Sequence, residues 1–80
     1  MEVVITTHAQ RQLKKLSAAA IQELKAAILG LARWPDVENV IRLKNRPDYR
    51  LRVGRWRVLF EVSEGRLFIT QVLLRDEQTY

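Results

Sequence analysis

Tyr49-Arg50-Leu51-Arg52-Val53-Gly54-Arg55-Trp56-Arg57-Val58-Leu59-Phe60-Glu61-Val62 decides the fold. In a strand, successive side chains point to opposite faces. Leu51 and Val53 therefore share one face, and Arg50 and Arg52 the other. After Gly54, which permits a tight turn, the alternation resumes. Trp56, Val58, Phe60 and Val62 fall on one side; Arg55, Arg57, Leu59 and Glu61 fall on the other. Paired through the turn, the two runs form a hairpin with an apolar face and a face rich in arginine. Tyr49, on the Val53 side by alternation, joins the apolar set, so Trp56, Phe60 and Tyr49 read as core.

The pattern extends both ways. Downstream, Ser63-Glu64-Gly65 is a hairpin loop and Arg66 to Leu74 a last strand, followed by a short polar, irregular tail over residues 75–80. Upstream, Asn45-Arg46-Pro47-Asp48 is a turn cluster, and Asn39 to Lys44 is a strand. Before Pro35 the period changes to that of helices. Ile21, Leu24, Ile28 and Leu31 make one stripe behind a Ser17 cap, and this helix is expected to end around Ala32 to Trp34. Trp34 reads as a packing plug. A shorter helix precedes it, with Ala9, Leu13 and Leu16 on one side. Thr7 and Gln10 have the capping-box spacing, which makes Thr7 the expected N-cap. Glu2 to Thr6 reads as a first strand. The order is β-α-α-β-β-β-β. The expected fold is α+β, an antiparallel sheet with an N-terminal helical hairpin packed on one face, in one domain over residues 1–80.

The composition excludes several classes. With 80 residues there is room for one core. There is no Cys and one His, so neither a disulfide framework nor a Cys/His metal centre is expected, and no cofactor or metal is assigned. His8 reads as a surface residue. No apolar run approaches the roughly 20 residues of a membrane-crossing helix, and the N-terminus lacks the basic region of a signal peptide. A soluble cytoplasmic protein is the expectation.

The charge is concentrated. The formal net charge is +5. Residues 41–57 hold seven of the 14 basic residues and only one acid, Asp48, for a net +6; the other 63 residues sum to −1. Folding alone gives no reason to gather Arg50, Arg52, Arg55 and Arg57 on one face, since like charges repel. A polyanion does, because guanidinium grips phosphate in two places. The face therefore reads as an RNA or DNA phosphate site. A solvated basic edge and a seat for an acidic protein segment are the competing readings. No Ser/His/Asp or Cys/His constellation and no glycine-rich phosphate loop is present. Asp36 and Glu38 make only a weak pair. What remains is electrostatic catalysis on a phosphodiester, for which an RNA 2′-OH supplies the nucleophile. Tyr80 can serve as acid or stacking group, and Asp76, Glu77 or the terminal carboxylate as proton acceptor.

The element order, the Leu43-Lys44 segment before a turn, the run 49–62, and the close on Arg75 and Tyr80 together resemble the RelE/ParE toxin superfamily of bacterial type II toxin–antitoxin systems. The resemblance spans nearly the whole chain and is most specific over 49–62. It implies a ribosome-dependent mRNA endoribonuclease held in a toxin–antitoxin hetero-oligomer by a cognate antitoxin. The other branch implies a non-enzymatic, ParE-like inhibitor of DNA gyrase. By position, the resemblance makes Arg50, Arg52, Arg57, Arg75 and Tyr80 the catalytic set, with Arg57 on the scissile phosphate and Tyr80 stacking on an mRNA base. Lys44, Arg46 and Arg55 are added as RNA-binding residues. The chain departs from the family in carrying arginines for lysines at 50 and 52, Leu73-Leu74 for a Gly-His or Gly-Lys pair, and Asn45 for Gly; a C-terminal helix is not expected. These departures preserve phosphate binding but leave the proton-transfer groups open, so a toxin with weakened catalysis is a third reading.

Overall fold

A computed structural model describes residues 1–77. Strand β1 (Glu2–Ile5) leads into helices α1 (Thr7–Lys14) and α2 (Ala18–Gly30), the latter running into a 3-10 turn over Leu31–Arg33. Strands β2 (Val40–Arg42), β3 (Tyr49–Val53), β4 (Trp56–Ser63) and β5 (Arg66–Leu74) follow, and a 3-10 turn spans Arg75–Glu77. The five strands form one sheet in the order β1-β5-β4-β3-β2.

The helices start where side chains satisfy their first amides. Ser17 caps α2, accepting from Ala20 N at 3.2 Å. For α1 the cap is Thr6, not Thr7. Thr6 Oγ1 accepts from Ala9 N at 3.3 Å and also donates to Ile69 O of β5 at 2.7 Å. Gln10 turns away from a capping box and donates to Ile5 O at 2.8 Å. Thr6 therefore ends β1 and begins α1 at once, and the contact to β5 decides between two adjacent threonines. Ala9 and Leu13 of α1 and Leu24 and Ile28 of α2 are buried, with Leu31. They pack on Leu51, Val53, Trp56, Val58, Phe60, Leu67, Ile69 and Val72 from the sheet. Trp34 closes this core edge-on to Tyr49 (4.7 Å between ring centroids) and Phe60 (5.3 Å).

The sheet is mixed rather than wholly antiparallel. Strands β2 to β5 pair antiparallel in sequence, but β1 lies parallel to β5, from Glu2 opposite Arg66 to Ile5 opposite Ile69. Periodicity fixes which face a residue takes, not the direction in which a strand runs. A parallel neighbour needs a long crossover rather than a tight turn, and the two helices with three intervening strands supply it. Past Ile5 the edge of β5 is covered by a side chain: Gln12 Oε1 accepts from Val72 N at 2.6 Å. Two short turns set the register of the long strands. Gly54 takes a φ of 57° in the first, and Glu64 and Gly65 take 51° and 79° in the second. Positive φ at both central positions, as at Glu64 and Gly65, or a glycine with positive φ at the first, as at Gly54, twists with a hairpin's strands. A bulge at Thr70 re-phases β5, so that Phe60 faces Ile69 and Leu59 faces Gln71.

Candidate nucleic-acid interface

The face of the sheet away from the helices carries three of the predicted arginines. Arg50 and Arg52 come from β3 and Arg57 from β4. Arg52 stands directly opposite Arg57, and Arg50 opposite Leu59. Residues opposed in this way have Cβ atoms about 4.5–5.5 Å apart, so the Arg52 and Arg57 side chains share one small area. Their settings differ. Arg52 is exposed, Arg50 half-buried, and Arg57 only 7% exposed. Arg57 folds over the hairpin end, where Nη1 donates to Gly54 O and Trp56 O, each at 2.9 Å. Removing Arg57 therefore also takes a donor from the turn carbonyls, so Arg57→Ala is not the structurally silent change that an exposed arginine would allow.

Beneath the arginines lies an apolar floor that the alternation only hinted at. Leu43, Leu59 and Leu73 are buried together on this side, with Leu73 opposite Arg57 across β4 and β5. Leu59 was the visible signal, an aliphatic residue on the otherwise charged side of its strand. Charges above apolar surface are less well screened than charges among waters.

The remaining candidates scatter. Arg55 is not on this face. It occupies the second position of the Gly54–Arg55 turn, where strand alternation lapses. Its guanidinium lies 5.5 Å from the Trp56 ring centroid, and with Ser17, Glu23 and Trp56 it borders a cleft at the start of α2, on the helical side. Its carbonyl accepts from Arg75 N at 2.8 Å, which ties the exposed Arg75 to the sheet end where Arg57 bends over Gly54. Arg46, in the β2–β3 loop, is taken up by Asp48: Nε reaches Oδ1 at 3.0 Å and Nη2 reaches Oδ2 at 2.7 Å. Asp48 is 5% exposed, so this forked pair serves to brace the loop. Lys44 is exposed beside it, and Asn45 holds a φ of 60° there, a conformation asparagine tolerates. Arg42 faces the helical side, 5.7 Å from the Tyr49 ring centroid. His8 is exposed on α1. Tyr80 lies outside the described residues. Among the described residues no helix is long and apolar enough to cross a membrane.

By sequence, no protein-family model and no curated protein matches the chain. Solved structures do. A chain of the RelBE2 toxin–antitoxin complex from Mycobacterium tuberculosis superposes with a TM-score of 0.81 at 24% identity, over 92% of this chain and 96% of that one. A chain of the archaeal RelE–RelB complex from Pyrococcus horikoshii gives 0.79 at 24% identity, over 96% and 97%. The isolated RelE toxin of Escherichia coli gives 0.76 at 18% identity, over 91% and 82%. The fold is that of the RelE/ParE-type toxins, over more than nine-tenths of the chain in each of these superpositions.

Proposed function

We propose that the chain is the toxin of a type II toxin–antitoxin pair and cleaves mRNA on the ribosome. The observation that carries this reading is the opposed Arg52–Arg57 pair, with Arg50 alongside, on the open face of a RelE-type fold. Two like charges placed directly across a sheet work against the sheet and serve a ligand that is itself negative.

Arg57 and Arg52 hold the phosphate of the scissile bond, and Arg50 and Arg75 balance further charge. The 2′-oxygen attacks phosphorus, the P–O2′ bond forms, and the P–O5′ bond breaks. The products are a 2′,3′-cyclic phosphate (opening to a 3′-phosphate) and a 5′-OH end. The 2′-OH proton passes to a carboxylate such as Asp76 or Glu77, and the departing 5′-oxygen takes a proton, with Tyr80 as donor or stacking group. The arginines do most of the catalytic work by stabilising the extra negative charge of the pentacoordinate transition state. Lys44 extends the cationic surface towards the RNA backbone; Arg55 contributes through field rather than contact, and Arg46, neutralised by Asp48, braces the loop that carries Lys44. A cognate antitoxin covers this face or the helical one in the resting complex and stabilises the toxin by mass action. The setting is the cytoplasm.

The test is a cell-free translation reaction with mRNA 5′ ends mapped by primer extension. Wild-type protein yields new cuts within codons only when ribosomes are present. Arg52→Ala, at an exposed position, lowers cutting by about 10²–10³-fold, the loss typical of one charge-stabilising donor, and leaves the protein folded, with its thermal midpoint unchanged or raised by a few degrees as the repulsion from Arg57 is relieved. Intact mRNA with gyrase supercoiling inhibited instead would replace this reading with the ParE-like one.

A further inference from the structure

A small recess opens at the β2 edge of the arginine face, lined by Asn39, Val40, Ile41, Arg50 and Arg52, with a volume of about 220 Å³. It is smaller than the roughly 300–1,000 Å³ clefts that take drug-sized ligands, so it suits a single ring system. Its lining is unusual for this face. Ile41 is 49% exposed, one of three large apolar side chains left open to solvent among the described residues, and it stands directly opposite Arg50 in the β2–β3 register. Asn39 precedes β2 with a φ of 62°, and its carbonyl accepts from Arg52 N at 2.9 Å. That bond fixes Asn39 against the strand whose arginine is proposed to hold phosphate. One recess thus brings together an aliphatic residue, an asparagine and two arginines.

Those are the parts a nucleotide requires. Unpaired RNA bases are bound by stacking on flat or apolar groups and by hydrogen bonds along their edges. A carboxamide matches adenine best, since it accepts from N6–H and donates to N7 at once. We infer that this recess is a base-binding subsite with a preference for adenine. Asn39 reads the edge of the base, and Ile41 with the Arg50 guanidinium supports its face. The base belongs to a nucleotide adjoining the phosphate at Arg52. The inference rests on the proposed RNA site, and it adds a base preference intrinsic to the protein to whatever the ribosome imposes.

The backbone at Asn39 selects the variants. At a positive φ an alanine is strained, whereas glycine is relaxed there and aspartate is tolerated. Asn39→Gly removes the amide without straining the chain, and Asn39→Asp keeps the shape but loses the donor. The probes are 2′-O-methyl oligomers of A and of U, which cannot undergo 2′-attack, with binding read by fluorescence anisotropy at one fixed salt concentration because phosphate contacts depend on salt. Wild-type protein should bind oligo-A about fivefold or more tightly than oligo-U, and both variants should bring that ratio close to one. A merely structural role for Asn39 would weaken both oligomers equally and leave the ratio unmoved. A ratio that is unity in the wild type, or unchanged in both variants, overturns the inference. Because the oligomers cannot be cut, the two readings fail separately. An adenine preference that depends on Asn39, in a protein that cuts no mRNA, keeps the subsite and removes the nuclease. Ribosome-dependent cutting with no such preference does the reverse.

Discussion

The two faces of the β3–β4 hairpin use the same backbone for opposite ends. Towards the helices the cross-strand neighbours are Val53 with Trp56, Leu51 with Val58, and Tyr49 with Phe60, the last two rings stacked at 5.4 Å and 17°. Away from the helices the neighbours are Arg52 with Arg57 and Arg50 with Leu59. The inner pairs bury apolar area and favour the sheet. The outer arginine pair opposes it, by a few tenths to about 1 kcal/mol for like charges placed directly opposite. The contrast teaches a division of labour: the larger core lies on the helical side of the hairpin. The small Leu43, Leu59 and Leu73 cluster and the Arg57 bonds to the turn add to it from the other side. The exposed positions of that second side are therefore free to carry charges arranged for a ligand. The sharpest way to break this comparison is on the inner face. Phe60 is fully buried, and Phe60→Ala should cost about 3–5 kcal/mol, a large part of the roughly 5–15 kcal/mol available to a natural domain. Urea unfolding monitored by tryptophan fluorescence would show it. A cost below about 1 kcal/mol would mean that the helical face is not what holds the hairpin.

A smaller effect separates the two threonines at the β1–α1 junction. Thr6→Ala removes an N-cap and the hydroxyl bond to Ile69 O and should cost about 1–2 kcal/mol. Thr7→Ala, at an exposed helical position, should fall within about 0.5 kcal/mol of wild type. Equal costs in paired denaturation curves would restore the capping box at Thr7.

This junction also marks where the sequence stops being informative. Strand alternation and the two glycine turns fixed the bounds of β3 and β5 as observed, Tyr49–Val53 and Arg66–Leu74, and placed Arg50, Arg52 and Arg57 on one face. Each of those inferences uses residues near one another in the chain. The errors share the opposite property. The cap at Thr6 depends on Ile69, 63 residues away; the parallel β1–β5 pairing depends on topology; and the apolar floor depends on Leu43, Leu59 and Leu73 arriving from three separate segments. Arg55 was misplaced for a local reason, since period two was carried through a turn residue to which it does not apply. Arg46 was legible as a cation but not as a spent one, because a short i to i+2 pair with Asp48 in a loop leaves no periodic trace.

The smallest expected effect has a sign opposite to the others, and for that reason it probes the division most directly. Arg52→Glu converts the opposed pair with Arg57 from repulsive to attractive on an exposed strand position. A gain in stability of a few tenths of a kcal/mol, at most about 1, should follow. Salt should act in opposite directions: screening relieves the wild-type pair and so raises wild-type stability, while it weakens the new attraction in the variant. The same substitution should abolish polyanion binding, because it removes one cation and installs an anion where phosphate is proposed to sit. Urea midpoints at low and high salt, set beside binding of the 2′-O-methyl oligomers, measure both quantities on one protein. A variant that gains stability as it loses RNA shows that the arginine face exists at the expense of the fold. A variant that loses both shows instead that Arg52 contributes to folding, and the opposed pair would then no longer argue for a ligand.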